Sequence, residues 1–253
     1  RISILLPTYN GDIDKMSKAF ESLKNQSYSD FECIIIDDSD DNLVIDFLNG
    51  ISVCDKRFKY FRGKGKGIAA ALNFGLSLSK GEFIARSDDT DISNLNRLEL
   101  QINFLMKNPE IGVVGSNIEV TRNGRKITRH YPKLHSEIIR SLFFTCPVAH
   151  SSVMIRRSTL NDCGGYDENF LYCEDLELWI RLIRKGIKFC NLQSTLVYFE
   201  NDIVIRSKEH FLSNSRARLK HSMNIFIAIS FGLSFLHFLI PASIRSKIKG
   251  FFE

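Results

Sequence analysis

The sequence lacks the markers of several large protein classes. Its six cysteines (Cys33, Cys54, Cys146, Cys163, Cys173 and Cys190) include no CxxC pair, which argues against structural zinc. With no signal-type segment ahead of Arg1, that scatter predicts reduced thiols in a cytoplasmic protein. The chain also opens without an initiator Met, as a trimmed chain would. No GK[ST] follows a glycine-rich turn at P-loop spacing, and no GxGxxG follows the first apolar run. Neither a P-loop nucleotidase nor a dinucleotide-binding dehydrogenase is therefore indicated. A long basic run is missing too. The net charge of +5 is densest near the C-terminus, at Arg206, Lys208, Arg216, Arg218, Lys220, Arg245, Lys247 and Lys249, which ranks an anionic membrane surface above nucleic acid as a partner.

What is present is folded-protein material. The 253 residues, 44% hydrophobic and 25% charged, suffice for one large α/β domain or two small ones. Residues 2–6 (ISILL) read as a buried strand closed by the turn-rich Pro7-Thr8-Tyr9-Asn10-Gly11. Met16, Phe20 and Leu23 keep helical spacing, and residues 31–36 (FECIII) form a second strand ending in Asp37-Asp38-Ser39-Asp40-Asp41. Strand, helix, strand is a right-handed parallel unit with both strand ends on one edge.

A third unit has a short strand at 58–61, then Gly63-Lys64-Gly65-Lys66-Gly67 opening a helix with an alanine- and leucine-rich face. Glycines alternating with lysines at a helix N-terminus let N–H groups, Lys64 and Lys66 approach a phosphate. A flexible surface turn explains that loop equally well. A fourth strand at 83–85 runs into Asp88-Asp89-Thr90-Asp91. Carboxylates at a strand end suit Mg²⁺ or Mn²⁺, which can hold a diphosphate, although a solvated acidic turn reads the same way. Three strand ends thus converge on one rim, where an open α/β sheet presents ligands. There Asp38 is placed to accept from a base N–H or a ribose hydroxyl and Tyr9 to cover a base, though such residues more often serve as caps and turns.

Beyond the rim, residues 97–106 read as a helix, 111–114 as a strand, 117–120 and 126–128 as a hairpin about Asn123-Gly124, and 136–144 as a helix. These pieces break the alternation and are expected to form a second half covering the rim. Residues 148–155 read as a strand carrying His150, a residue type more often structural than a ligand in that setting. Residues 171–186 read as an amphipathic helix with Glu174 and Asp175 at its start. The helix dipole keeps carboxylates ionised there, and both charge matching and a general base fit. Residues 223–240 are nearly all apolar and flanked by basic residues. They rank first as an in-plane membrane anchor, second as a span and third as a core or dimer-interface helix.

With these motifs placed, the chain resembles an inverting family 2 glycosyltransferase of the GT-A fold, of the bacterial kind that builds surface polysaccharides. The matching stretches, in family order, are ISILLPTYN, FECIIIDDSDD, GIAAALNFGLSLSKGEFIARSDDTDIS, NRLELQINFLMKNPEIGVVGS, CPVAHSSVMIRRSTL and GGYDENFLYCEDLELWIRL. The resemblance implies an α/β, Rossmann-like, mostly parallel sheet flanked by helices. It divides the chain into a nucleotide-binding half (1–92), an acceptor-binding half (93–200) and a helical, membrane-associating segment (201–253).

By the same resemblance Pro7, Thr8, Tyr9 and Asp38 hold the nucleobase, usually uracil. Asp88 begins the acidic motif that touches ribose and metal, and Asp175 is the catalytic base. His150 matches a histidine near the metal and diphosphate in some relatives. The expected substrate contacts are completed by Lys64, Lys66, Asp89 and Glu174, and the expected ligands of Mn²⁺ or Mg²⁺ are Asp89, Asp91 and His150. One departure stands out: Thr90 lies where the family has its principal metal-binding Asp, so Asp89 or Asp91 must take over or metal binding weakens.

The implied reaction is attack of an acceptor hydroxyl on a UDP-sugar with inversion, at the inner face of the cell membrane, where the acceptor is commonly lipid-linked. A nucleotidyltransferase is a weaker reading, because ISILLPTYNGD replaces the glycine- and basic-rich signature it needs after the first strand. A catalytically silent nucleotide-sugar-binding protein is a third reading, motivated by Thr90 and the tail.

Overall fold

The computed structural model describes residues 1–142, 144–200 and 208–221. The chain runs β1 (Ile2–Thr8), α1 (Ile13–Lys24), β2 (Phe31–Asp37), α2 (Asn42–Cys54), β3 (Phe58–Arg62), α3 (Ile68–Leu78), β4 (Phe83–Arg86) and β5 (Ile92–Ser93). It continues with α4 (Arg97–Lys107), β6 (Ile111–Arg122), β7 (Arg125–Arg129), α5 (His135–Leu142), a 3₁₀ turn (His150–Ser152), β8 (Met154–Arg156), α6 (Arg157–Cys163), α7 (Glu174–Arg184), β9 (Lys188–Glu200) and α8 (Lys208–Lys220).

One sheet takes all of these strands in the order β3-β2-β1-β4-β8-β6-β9-β5, with β7 on β6. The pairs β3/β2, β2/β1 and β1/β4 are parallel, and β6 also pairs parallel with β9. The remaining pairs, β4/β8, β6/β8, β6/β7 and β5/β9, are antiparallel. Every residue of β2 is buried, as expected of a parallel strand covered on both faces. Alternation along the strands splits the core. Leu5, Ile34, Ile36 and Ile84 face the layer of α3 and α7. Ile4, Leu6, Cys33, Ile35 and Ala85 face that of α1 and α4.

Local chemistry sets the element ends. Asp12 and Asp41 cap α1 and α2 by accepting from backbone N–H groups. The predicted Asn123-Gly124 hairpin forms, with both residues at positive φ (49° and 73°), the requirement of a tight two-residue turn.

Three sequence expectations are corrected. The strand expected at 148–155 is a 3₁₀ turn followed by the three-residue β8, because Ser152 Oγ bonds the Ala149 carbonyl and takes the Ser116 N–H. Such side chains offer the backbone an alternative to a ladder. The strands at 111–114 and 117–120 are one strand, β6, with register irregularities against β9 between Ile111 and Ile118. The helix expected from 171 starts at Glu174.

The apolar stretch 223–240 lies outside the described residues. Among those described, no helix is long and apolar enough to cross a membrane.

Candidate active site

The C-terminal ends of β1, β2 and β4 form the rim. Asp38 N–H donates to the Thr8 carbonyl at 3.0 Å, and Asn10 N–H to Ser39 Oγ at 2.8 Å, so the loops after β1 and β2 are tied together. Asp38 is half-buried, and its Oδ1 accepts from Gly65 N–H at 2.7 Å. A Cβ at Gly63 would lie 2.0 Å from that oxygen. Glycine is thus demanded by the close approach of the loop to Asp38, a packing reason that the phosphate reading of the sequence did not anticipate. Lys64 and Lys66 are exposed at the mouth, with Lys64 Nζ 5.3 Å from the Phe74 ring centroid. Pro7 is half-buried, while the Tyr9 side chain is 67% exposed and open to a ligand face.

The three acidic residues after β4 have three different environments. Asp88, partly exposed, pairs with the buried Arg86 guanidinium. Asp89 accepts from the Thr8 hydroxyl, and burial pushes its carboxyl above the ordinary range despite that bond. Asp91 is only 4% exposed and lies in the fields of two buried arginines, Arg86 and Arg97. Arg97 donates to the Arg86 carbonyl at 2.6 Å and to Ser93 Oγ at 3.0 Å, and burial lowers its pKa to about 10. Asp91 is therefore interior countercharge, which a pair of desolvated guanidiniums requires.

His150 is also engaged. Its Nε2 lies 3.0 Å from Tyr166 Oη and its Nδ1 3.5 Å from Glu174 Oε1. Asp89, Asp91 and His150 thus do not assemble as the expected ligand set, and no group of three or more His, Cys, Asp or Glu among the described residues has a metal-holding arrangement. Asp88 and Asp89 remain as oxygen donors at the rim. That set fits a hard cation completed by phosphate oxygens and water, since Mg²⁺ commonly takes only one or two protein carboxylates. Arg86, unnoticed in the sequence, leaves its buried Nε without a hydrogen-bond partner among the described residues, a donor still open beside the acidic loop.

Across the rim, α7 begins after Cys173, a non-glycine residue at φ 58°. Such a left-handed backbone costs of order 1 kcal/mol and persists where its surroundings hold it. The two acids that follow diverge. Burial alone would push Glu174 up, but hydrogen bonding and charge from His150, with Arg86 further off, bring it below the ordinary range. Asp175 is raised, first by burial and then by the charge of Glu174, yet it keeps partial solvent access. Its Oδ1 accepts from Leu176 N–H at 2.7 Å, and Cys146 Sγ stands 3.5 Å from Oδ2. Two neighbouring carboxyls driven apart in proton affinity are how a site separates a fixed charge from a proton acceptor. The sequence reading passed over Cys146, Tyr131 and Tyr166. A guanidinium inside the apolar run FIAR was the one signal available for Arg86.

These features place the chain among the α/β enzymes whose ligands sit at the ends of parallel strands. Residues 3–165 match glycosyl transferase family 2, and the chain belongs to that family. The putative glycosyltransferase EpsE of Bacillus subtilis is 32% identical over 208 residues, covering 80% of this chain and 73% of EpsE. A UDP-Gal:alpha-D-GlcNAc-diphosphoundecaprenol beta-1,3-galactosyltransferase of Escherichia coli is 29% identical, covering 78% and 73%. The chain spans only 30% of the length of an uncharacterized Rickettsia conorii glycosyltransferase to which it is 33% identical over 187 residues.

Solved structures show the GT-A fold. S. aureus TarS 1-349 in complex with UDP-GlcNAc superposes with a TM-score of 0.69 at 18% identity, covering 87% of this chain and 66% of that one. A mannosyltransferase of Pyrobaculum calidifontis in complex with GDP-Man and Mn²⁺ gives 0.65 at 15% identity, covering 94% and 70%.

Proposed function

We propose that this chain is an inverting glycosyltransferase that moves a sugar from a UDP-sugar to a hydroxyl of a glycan acceptor, lipid-linked, in surface-polysaccharide assembly. The observation that carries the reading is Asp175: a half-buried residue at the start of α7 whose carboxyl is raised above the ordinary range, first by burial, beside a Glu174 held ionised by His150. A base with raised proton affinity but retained access is matched to taking a proton from a hydroxyl as it attacks, a contribution worth about 10²–10⁴-fold.

In this reading Tyr9 covers the uracil face, and Asp38, fixed by the Gly63–Gly65 backbone, accepts from the base or ribose. Lys64 and Lys66 lie along the diphosphate. Asp88 and Asp89 hold Mn²⁺ or Mg²⁺, which when bound neutralises the leaving diphosphate. Asp175 deprotonates the acceptor on the face of the sugar opposite the diphosphate, so one displacement inverts the anomeric centre. The UDP-sugars of TarS and of the E. coli relative, and that relative's lipid diphosphate acceptor, support these choices. The apolar and basic C-terminal stretch supports action at the inner face of the cell membrane.

Asp175→Asn tests the assignment. Sugar transfer, measured as UDP release during a screen of UDP-sugars and acceptors, should fall about 10²–10⁴-fold, or ~3–5 kcal/mol in the barrier, while UDP affinity stays within twofold. Wild-type turnover in the variant would move the base elsewhere.

A further inference from the structure

Cys146 reaches the same carboxylate from the segment before the 3₁₀ turn, 29 residues away in sequence. Its Sγ stands 3.5 Å from Asp175 Oδ2 and 3.4 Å from the Val148 carbonyl oxygen. A thiol has one proton and donates to one of these at a time. An ionised carboxylate outcompetes a carbonyl for it, because charge-assisted hydrogen bonds are roughly twice as strong, whereas a protonated carboxyl has no such advantage. Burial first, and then the charge of Asp175, push the thiol far above its ordinary range, so the donor proton stays on sulfur. The other groups facing Asp175 are Glu174 on its own helix, His150 from the 3₁₀ turn, Tyr131 from the loop after β7, and Tyr166 from the loop before α7.

We propose that Cys146 is a positioning residue for Asp175: its S–H donates to Oδ2 of the ionised carboxylate and swings to the Val148 carbonyl when Asp175 takes up a proton. The inference rests on the reading of Asp175 as the base. With Leu176 N–H on Oδ1 and the thiol on Oδ2, both oxygens are oriented. A thiol is a weak donor, so it aims Oδ2 without satisfying it and leaves a lone pair for the acceptor proton. A serine hydroxyl there would bind the anion harder and make it a poorer base.

The test combines spectroscopy on the full chain with kinetics. The S–H stretching band of Cys146, isolated by subtracting the infrared spectrum of Cys146→Ala, should move to lower frequency as pH rises through the carboxyl titration. Asp175→Asn should abolish that movement. If Cys146→Ala does not fold, Cys146→Ser supplies the subtraction. In UDP release from UDP-N-acetylglucosamine or UDP-galactose, Cys146→Ala should move the acidic limb of kcat upward by about 0.5 pH unit, since the anion loses a donor. Cys146→Ser should move it downward by a similar amount, with KM for the donor unchanged in both.

A purely structural cysteine would change thermal stability and move neither the band nor the limb. That result, or a wild-type band indifferent to pH, overturns the proposal. If Asp175→Asn keeps turnover while the band still tracks the carboxyl, the hydrogen bond stands and the base assignment falls. If Asp175→Asn abolishes turnover but neither cysteine variant moves the limb, only the role of Cys146 falls.

Discussion

Glu177 offers the sharpest test of how helix α7 is held. It lies two residues after Asp175 with a side chain 0% exposed, and it collects two cations and an imidazole. Arg181 donates to Oε2 at 2.8 Å, while His221 Nε2 and Lys220 Nζ stand 2.7 and 3.5 Å from Oε1. Arg181 goes on to the Cys163 and Gly165 carbonyls at 2.6 and 2.8 Å, so one carboxylate fastens the end of α6 and the end of α8 to α7. Burial raises its pKa, but the hydrogen bonds from Arg181 and His221, with the charges of Arg181 and Lys220, bring it below the ordinary range.

Glu177→Gln keeps the shape and removes the charge. Breaking a buried pair costs about 3–5 kcal/mol. Because Arg181 and Lys220 are 17% and 45% exposed and can recover water, we expect about 2–3 kcal/mol. That is a fall in Tm of about 5–10 °C at pH 7 for a domain of this size. A folded-state pKa below the unfolded value contributes stability above about pH 4.3 and loses it as pH falls through the folded value. The difference between wild type and variant should therefore narrow progressively as pH falls below about 4.3. Urea unfolding at pH 7 and at pH 3.5 measures both points. A variant within 0.5 kcal/mol of wild type at pH 7, or a gap as large at pH 3.5 as at pH 7, would refute the clasp. Lys126→Gln, which breaks the exposed pair with Glu119, should cost less than about 0.5 kcal/mol as a control.

Gly63→Ala should displace Asp38 from its place in the site and weaken UDP binding roughly tenfold, while loss of its bond to Gly65, worth about 1 kcal/mol, lowers Tm by about 2–4 °C. Calorimetric titration giving wild-type affinity would show that Asp38 does not hold the nucleotide. For the cation, UDP should bind more tightly with Mn²⁺ than with EDTA. Asp89→Asn should shrink that difference and Thr90→Asp should enlarge it, by restoring a carboxylate beside Asp89. A wild-type affinity indifferent to chelator would remove the cation from donor binding.

How much of this was legible followed from whether the signal was local. The strands ISILL, FECIII and FIA were readable because both faces of a parallel strand are buried, so the apolar run is continuous. The Asn123-Gly124 turn was readable because its backbone demands positive φ at both residues. Helix α2 went unread. It buries only Val44 and Leu48 while Leu43 and Val53 are exposed, so its periodicity is blurred. Strand β9 (KFCNLQSTLVYFE) went unread because its apolar positions are interrupted by Asn191, Gln193, Ser194 and Thr195.

The sequence by itself determined the parallel strands β1 to β4 with the helices α1 and α3 between them, the convergence of three strand ends on one rim, and the residue types available there, since each depends on spacing along the chain. Apart from the roles implied by the family resemblance, spacing left Asp88, Asp89 and Asp91 alike, and Glu174 and Asp175 alike. Only the tertiary structure separated them. Asp91 turns inward to Arg86 and Arg97, Asp89 meets Thr8, and Asp88 stays at the rim. Glu174 meets His150, and Asp175 meets a thiol 29 residues away. Proton affinity and metal access depend on desolvation and on charges across space, and those exist only once distant parts of the chain have been folded against one another.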